Sequence, residues 1–122
     1  MVFLTKENKL LMSRRLNTWF GNNQFSVPGG MVDTGETPEI AAVRELQEET
    51  NITVDPKNLK LFHQDETSAN GRMFENFYFV TTLRTGEPVN KEPHRHSELD
   101  WYPLDELPDD TMPLIIKLLS KI

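Results

Sequence analysis

Short runs of apolar residues alternate with polar breakers along this chain, and their spacing predicts both strands and helices. The first two runs, Val2–Leu4 and Lys9–Arg15, are separated by four polar residues, which predicts a β-hairpin. A third run over Phe25–Val27 stops at Pro-Gly-Gly, so we expect a strand that ends in a loop. Only one residue precedes the first run, which indicates either an internal start at Met1 or an edge strand trimmed from the domain.

A helical repeat follows the Pro-Gly-Gly loop. Apolar residues recur there at three- and four-residue spacing, which predicts a helix over about residues 38 to 50. Thr37 supplies an N-cap hydroxyl, and Pro38 occupies the first helical position. Asn51 follows the last repeat, at a position where helices commonly end in a left-handed residue.

The second half of the chain holds three further strand-like runs and one more helix. The strand-like runs are Leu59–Glu66, Phe74–Leu83 and Leu99–Tyr102. A polar loop over Thr67–Arg72 joins the first two, and a longer loop over Glu87–Ser97 precedes the third. Met112–Ile122 places apolar residues on one side of a helix that should pack across the sheet. The pattern therefore predicts an α/β fold, with a mixed sheet and helices on its faces.

Composition narrows the class of protein. The 122 residues, 37% of them hydrophobic, fit one domain over residues 1–122 with a single core. A net charge of −6 disfavours binding to a nucleic acid polymer, while a small anionic substrate remains compatible if metal ions neutralise it. The chain has no cysteine, which excludes disulfides and thiolate metal sites. No long apolar run or leader is evident, so we expect a cytoplasmic protein without a membrane partner.

Three glutamates fall on one stripe of the predicted helix, and we expect nothing in the fold to favour them there. Glu45 precedes Glu48 by three residues and Glu49 by four, so each of these like-charge pairs costs about 0.2–0.5 kcal/mol. All three lie toward the C-terminal end, where the helix dipole adds a penalty of ~0.3–1 kcal/mol per negative group. A hard divalent cation takes carboxylate oxygens as ligands, together with water and substrate phosphates. The stripe therefore predicts a metal site, the alternative being a solvated acidic face.

The same segment carries a recognisable motif. Residues 30–52 read GMVDTGETPEIAAVRELQEETNI and match the pattern G-x5-E-x7-R-E-U-x-E-E-x-G-U, where U is a bulky aliphatic residue. The matching positions are Gly30, Glu36, Arg44, Glu45, Leu46, Glu48, Glu49 and Ile52. The segment thus resembles the Nudix box, with Asn51 in place of the second glycine, a change that a helix end tolerates. Residues 98–108 and other runs outside the box also resemble small single-domain Nudix hydrolases.

The resemblance implies an α/β/α sandwich that hydrolyses a nucleoside diphosphate linked to another group, with Mg²⁺ or Mn²⁺ as cofactor. The metal ligands that it implies are Glu45, Glu48, Glu49, the carbonyl of Gly29, and one acidic residue of the later loop. For this last ligand, Glu92 is the first choice and Glu98 the second. Among catalytic residues, Glu45 is the first choice for the general base. Arg44 is expected to hold a box glutamate through an ion pair, and Glu36 to fix the loop against the helix.

Candidate substrate-binding residues lie on both sides of the box. Arg14 and Arg15 point to opposite faces of a strand, and family position favours Arg15 as the phosphate ligand. Gly30 belongs to a loop that we expect to contact substrate. Asp109 and Asp110 lie where related enzymes often read the base, although a helix N-cap is an equal alternative. The three histidines, His63, His94 and His96, are expected to be ordinary loop or strand residues.

Three functions are compatible with these residues. The first is cleavage of a nucleoside triphosphate to monophosphate and pyrophosphate, which the small size favours. The second is cleavage of ADP-ribose or another sugar nucleotide. The third is a non-hydrolytic nucleotide-binding module, which the complete set of box carboxylates disfavours. The sequence leaves open the preferred base or sugar, the biological role, and whether the protein forms a homodimer.

Overall fold

The structure is a computed structural model that describes residues 1–122. Its strands are β1 (Val2–Lys6), β2 (Lys9–Arg15), β3 (Phe25–Ser26), β4 (Lys60–Ala69), β5 (Arg72–Thr81) and β6 (His96–Pro103). Its helices are α1 (Pro38–Thr50) and α2 (Pro113–Leu119), with a short 3₁₀ turn at Pro56–Asn58. Neither helix is long and apolar enough to cross a lipid bilayer.

The six strands form one mixed sheet. Five of them follow the order β3-β2-β1-β5-β4. The strand β2 pairs with β1 near its start and with β3 near its end, and it also pairs with β6 along most of its length. The β1–β5 pair is parallel, whereas the other pairs are antiparallel. This arrangement places the loop that follows β3 and the loop that precedes β6 on either side of the end of β2.

Alternating side chains of β1 divide the core between the two faces of the sheet. Val2 and Leu4 belong to a buried cluster that includes Leu46 of α1. Phe3 belongs to a second cluster that includes Ile115 of α2. The helices therefore cover opposite faces, and the predicted α/β/α sandwich with a mixed sheet is confirmed.

Helix α1 has the predicted bounds and the predicted ends. The hydroxyl of Thr37 accepts a hydrogen bond from the Ile40 amide at 3.2 Å, and Pro38 starts the helix. Asn51 adopts the left-handed conformation with φ of 66°, and its amide donates to the Gln47 carbonyl. The substitution of the box glycine by asparagine therefore preserves the backbone geometry that ends this helix.

Several element boundaries differ from the predicted ones. The predicted loop over Thr67–Arg72 is wrong, because Asn70 and Gly71 alone turn the chain with φ of 52° and 73°. A two-residue turn of this kind lets polar strand residues pair up to its edge. The last strand begins at His96 rather than Leu99, and α2 ends at Leu119 rather than Ile122.

Candidate active site

The loop that follows β3 lies directly against the acidic stripe of α1. The amide of Gly29 donates a hydrogen bond to Glu49 Oε2 at 3.1 Å, while the Gly29 carbonyl accepts none from the chain. A Cβ atom added to Gly30 would overlap the carboxyl group of Glu45. Glycine at position 30 is therefore required for this carboxylate to occupy its place, and the free carbonyl of Gly29 can serve as a ligand.

Arg44 organises the acidic groups around it. Its guanidinium donates to Glu36 and to Glu45 Oε1 at 2.8 Å each, lies 3.4 Å from Glu48 Oε2, and donates to the Met31 carbonyl at 3.0 Å. These bonds raise the pKa of Arg44 and, through Arg44 first, lower the pKa of Glu36. The expectation that nothing in the fold favours the acidic stripe is therefore wrong for Glu45 and Glu48. Arg44 acts on them as a positioning residue.

Glu45 carries a proton more readily than an ordinary carboxyl group. Burial is the main cause of its raised pKa, the Arg44 hydrogen bond opposes it, and the charges of Glu49 and Glu48 raise it further. The Glu45 side chain is 19% exposed, whereas the Glu48 side chain is 50% exposed and faces solvent. A raised pKa suits a group that accepts a proton during a reaction at neutral pH.

Glu49 is a buried carboxylate that forms no ion pair with a lysine or an arginine, and the charges of Arg15 and of the Met1 amino group act on it only from farther away. Its side chain is only 9% exposed, and no lysine or arginine nitrogen lies within 4.0 Å of it. Its contacts are the Gly29 amide and the imidazole of His96, whose Nε2 lies 3.3 Å from Glu49 Oε1. A buried charge that lacks a partner is costly, so this group is suited to bind a cation.

The loop that precedes β6 is fastened to the end of α1. The Val89 amide donates to the Thr50 carbonyl at 2.8 Å, and the Lys91 amide donates to the Glu49 carbonyl at 3.2 Å. These bonds satisfy carbonyls that the helix end would otherwise leave without partners. They also bring the next residue, Glu92, to the acidic stripe.

Glu92 and His96 complete a cluster with Glu49. The amides of Arg95 and His96 both donate to the Glu92 carbonyl, so one helical turn places the two side chains on the same side. The ligand atoms of Glu49, Glu92 and His96 lie within 4.8 Å of one another. These donors fit a divalent cation, which Nudix proteins generally require.

Part of this cluster is predictable from the sequence. Glu92, the first choice in the later loop, lies beside Glu49, whereas Glu98 pairs with Arg14 at 2.6 Å and stays outside the cluster. The sequence predicts an ordinary loop or strand residue at His96, whereas the structure places its ring in the cluster. The spacing of four residues between Glu92 and His96 was the available signal, but a proline between them suggested an irregular loop.

The substrate-binding candidates are distributed unevenly around the cluster. Arg14 forms ion pairs with Glu98 and Asp110. Arg15 forms no ion pair. Burial lowers the pKa of Arg15, and the charge of Glu49 partly offsets this effect. Asp109 is exposed and forms no side-chain bond. The N-cap alternative for Asp109 and Asp110 is wrong, because Met112 occupies the N-cap of α2 without a side-chain bond.

Two exposed aromatic residues lie beside Arg15. Arg15 Nε donates to the Phe20 carbonyl at 3.0 Å, and the Trp19 and Phe20 rings are 5.8 Å apart. The Trp19 side chain is 83% exposed, which is unusual for so large an apolar group. The two rings are inclined at 55° to each other, so each presents its own apolar face beside Arg15.

Comparison with known proteins identifies the family. The NUDIX domain model matches residues 1–121. The chain is 34% identical over 119 residues to the 8-oxo-dGTP diphosphatase of Escherichia coli (strain K12), a match that covers 96% of this chain and 91% of that protein. It is 45% identical to the ADP-ribose pyrophosphatase of Methanocaldococcus jannaschii over 56 residues, which cover 46% of this chain and 32% of that protein.

A solved structure agrees with the sequence match. The crystal structure of a MutT NUDIX hydrolase from Burkholderia pseudomallei superposes with a TM-score of 0.87 at 27% identity, covering 99% of this chain and 93% of that one. The predictions of the family, the fold and the enzyme class are thereby confirmed. The chain belongs to the NUDIX domain family and is a Nudix hydrolase.

Proposed function

We propose that the protein hydrolyses a nucleoside triphosphate to the monophosphate and pyrophosphate. The main support for this proposal is the complete set of box carboxylates. Arg44 holds Glu45 and Glu48, and the Gly29–Gly30 loop packs against Glu45 and Glu49. Because the full-length relative from Escherichia coli acts on 8-oxo-dGTP, an oxidised purine deoxynucleotide is the first substrate to test. We also propose that the protein acts in the cytoplasm.

The proposed cofactor is Mg²⁺, with Mn²⁺ as a substitute. The residues that would hold it are Glu45, Glu48, Glu49, Gly29 through its carbonyl, and Glu92. When bound, the ion neutralises charge on the phosphate oxygens and makes phosphorus easier to attack. Glu45 Oε1 is held by Arg44, so Glu45 Oε2 is the atom that accepts a proton from the attacking water.

We assign substrate binding to residues that lie beside the carboxylate cluster. Arg15 contributes a positive charge for a phosphate group, and the exposed ring of Trp19 provides a surface on which a base can stack. Gly30 remains a candidate for substrate contact, because its lack of a side chain leaves the space that the Glu45 carboxyl group occupies beside the loop. Asp109 and Asp110 remain our candidates for contacts to the base.

Two alternatives differ in what they release. A sugar-nucleotide pyrophosphatase is less favoured, because the ADP-ribose pyrophosphatase relative matches less than half of this chain. A non-hydrolytic binding module is disfavoured by the retained carboxylates. Incubation of the protein with 8-oxo-dGTP, dGTP, ATP and ADP-ribose in Mg²⁺, with pyrophosphate, phosphate and monophosphates quantified separately, decides between the three.

We expect equal amounts of pyrophosphate and monophosphate from 8-oxo-dGTP, and slower turnover of dGTP. Efficient cleavage of ADP-ribose with no pyrophosphate from any triphosphate would establish the sugar-nucleotide alternative. Nucleotide binding without release of any product would establish the binding module.

A further inference from the structure

His96 lies among the carboxylates with one ring nitrogen directed at them. Its Nε2 is 3.3 Å from Glu49 Oε1 and 3.7 Å from Glu92 Oε1. Its Nδ1 is 3.3 Å from the hydroxyl oxygen of Ser13, a buried residue of β2. The imidazole is itself mostly buried, with 14% of its side chain exposed. Both ring nitrogens are therefore in defined surroundings.

The spacing around Nε2 is wider than that of a strong hydrogen bond. A charge-assisted N–H···O bond usually measures about 2.7–2.9 Å. Two ligands that are each about 2.1 Å from one ion, at angles of 90–110°, lie about 3.0–3.4 Å apart. The separation of 3.3 Å between Nε2 and Glu49 Oε1 falls in that range, and the 3.7 Å to Glu92 Oε1 lies just above it.

The backbone fixes this geometry before any ligand arrives. His96 begins β6 and pairs with Arg15 of β2, while the Asn90 side chain donates to the His96 carbonyl at 2.7 Å. The same Asn90 side chain accepts from the Glu92 amide at 3.1 Å. A proton on Nδ1 that is donated to Ser13 leaves the lone pair of Nε2 facing the two carboxylates, as in metal-ligating histidines.

A cation resolves the electrostatics of this arrangement. The Glu49 carboxylate has no lysine or arginine partner within 4.0 Å. In the tautomer that carries its proton on Nδ1, the Nε2 lone pair faces both carboxylates at 3.3 and 3.7 Å, and a cation between them would remove the resulting repulsion. We propose that His96 Nε2 ligates a divalent cation together with Glu49 and Glu92, and that this imidazole makes the position prefer Mn²⁺ or Co²⁺ to Mg²⁺. Imidazole suits first-row transition ions, whereas carboxylate and water suit Mg²⁺.

This inference rests on the proposed function, because the cluster lies inside the proposed hydrolytic site. It can nevertheless be tested without substrate. Mn²⁺ bound to the protein in the absence of nucleotide is examined by electron spin echo spectroscopy, with histidine labelled with ¹⁵N in a parallel sample. We expect the echo decay of bound Mn²⁺ to be modulated by a histidine nitrogen, and we expect this modulation to change when histidine is labelled with ¹⁵N. Bound Mn²⁺ without such modulation overturns the proposal, and so does failure of the protein to bind Mn²⁺.

Two variants extend the test to selectivity. In H96Q the modulation should disappear, and the ratio of Mg²⁺ to Mn²⁺ dissociation constants should fall about tenfold. The matched control is H94Q, which removes an exposed imidazole from the same loop and should preserve both quantities. A melting curve verifies that H96Q is folded, and the wild-type spectrum decides the question if it is not. Modulation that persists in folded H96Q overturns the proposal.

Hydrolysis measured on the same samples separates the two claims. Turnover of nucleotide by a protein that shows no histidine modulation overturns the imidazole ligand and leaves the hydrolase intact. Modulation in a protein that cleaves none of the nucleotides supports the imidazole ligand and overturns the proposed function.

Discussion

At the scale of single residues, Arg44 divides the three box glutamates into two kinds. Glu45 and Glu48 share its positive charge, whereas the buried Glu49 has no lysine or arginine partner. This division reconciles folding with function, because one arginine offsets much of the repulsion on the helix without neutralising the whole stripe. A bound cation would offset the negative charge that Arg44 leaves on the stripe, and this charge is least compensated at Glu49.

Glu48→Gln should reduce catalysis far more than stability. The change keeps the shape of the side chain but removes a charge that we assign to the cation, so we expect kcat to fall at least ~100-fold, about 2.7 kcal/mol of barrier. Glu48 is half-exposed and 3.4 Å from Arg44, so the free energy of unfolding of the metal-free protein should change by no more than about 0.5 kcal/mol.

Steady-state kinetics and chemical denaturation in chelator measure the two effects of Glu48→Gln. The control is Glu39→Gln, which removes a carboxylate from the first turn of the same helix and should retain normal turnover. Normal turnover in Glu48→Gln would remove this residue from the metal site, and a collapsed fold would give it a structural role.

At the scale of elements, the end of α1 tests why the box tolerates asparagine. Asn51→Gly should leave turnover unchanged and alter the free energy of unfolding by no more than about 1 kcal/mol, because both residues adopt the left-handed conformation seen at φ of 66°. Asn51→Val should cost more, since a β-branched side chain is strained there. Loss of activity in a stable Asn51→Gly variant would show that the side chain has a direct role.

The loop between β2 and β3 provides a second test at this scale. Trp19→Ala should raise KM for the nucleotide about fivefold or more and leave kcat nearly unchanged, because a base stacked on an aromatic ring gains ~1–3 kcal/mol. Trp19→Phe should restore most of the affinity. The control is Met73→Ala, which removes an exposed apolar side chain from the β4–β5 hairpin. An unchanged KM in Trp19→Ala would exclude stacking on this ring.

Elements with local signals were predictable from the sequence, and those fixed by distant pairing were not. Helix α1 carries its own N-cap and its own left-handed end, so its bounds follow from residues 37–51 alone. The start of β6 depends on pairing between His96 and Arg15, which are far apart in sequence. The position of His96 beside Glu49 was not predictable for the same reason, because this contact exists only after the loop docks on α1.

At the scale of the whole molecule, cation binding should be visible as stability. A ligand that binds only the folded protein stabilises it by about 2.7 kcal/mol at one hundred times its dissociation constant. For a domain of this size that corresponds to a rise in Tm on the order of 10 °C. Melting curves in excess chelator and in Mn²⁺ measure the shift, and chelator should also abolish turnover. Full activity in chelator together with an unchanged Tm would contradict the metal site.

The raised pKa of Glu45 makes the stability of the metal-free protein depend on pH. Burial is its main cause, followed by the opposing Arg44 bond and by the charges of Glu49 and Glu48. The folded protein therefore holds a proton at pH values where the unfolded chain has lost it. The stability that this group contributes is complete below the ordinary pKa of 4.5 and is lost as pH rises through the higher folded pKa.

Glu45→Gln isolates this contribution, because glutamine does not titrate. The variant also loses the ionic hydrogen bond to Arg44. That bond lowers the pKa of Glu45, whereas burial raises it. In chelator, the Tm of Glu45→Gln minus the Tm of wild type should therefore be larger at pH 7 than at pH 4.5. Saturating Mn²⁺ should reverse the difference at pH 7, since wild type then gains a bound ion that the variant holds weakly. A difference in Tm that is independent of pH in chelator would show that Glu45 titrates like an ordinary carboxyl group, and would remove it as the proton acceptor.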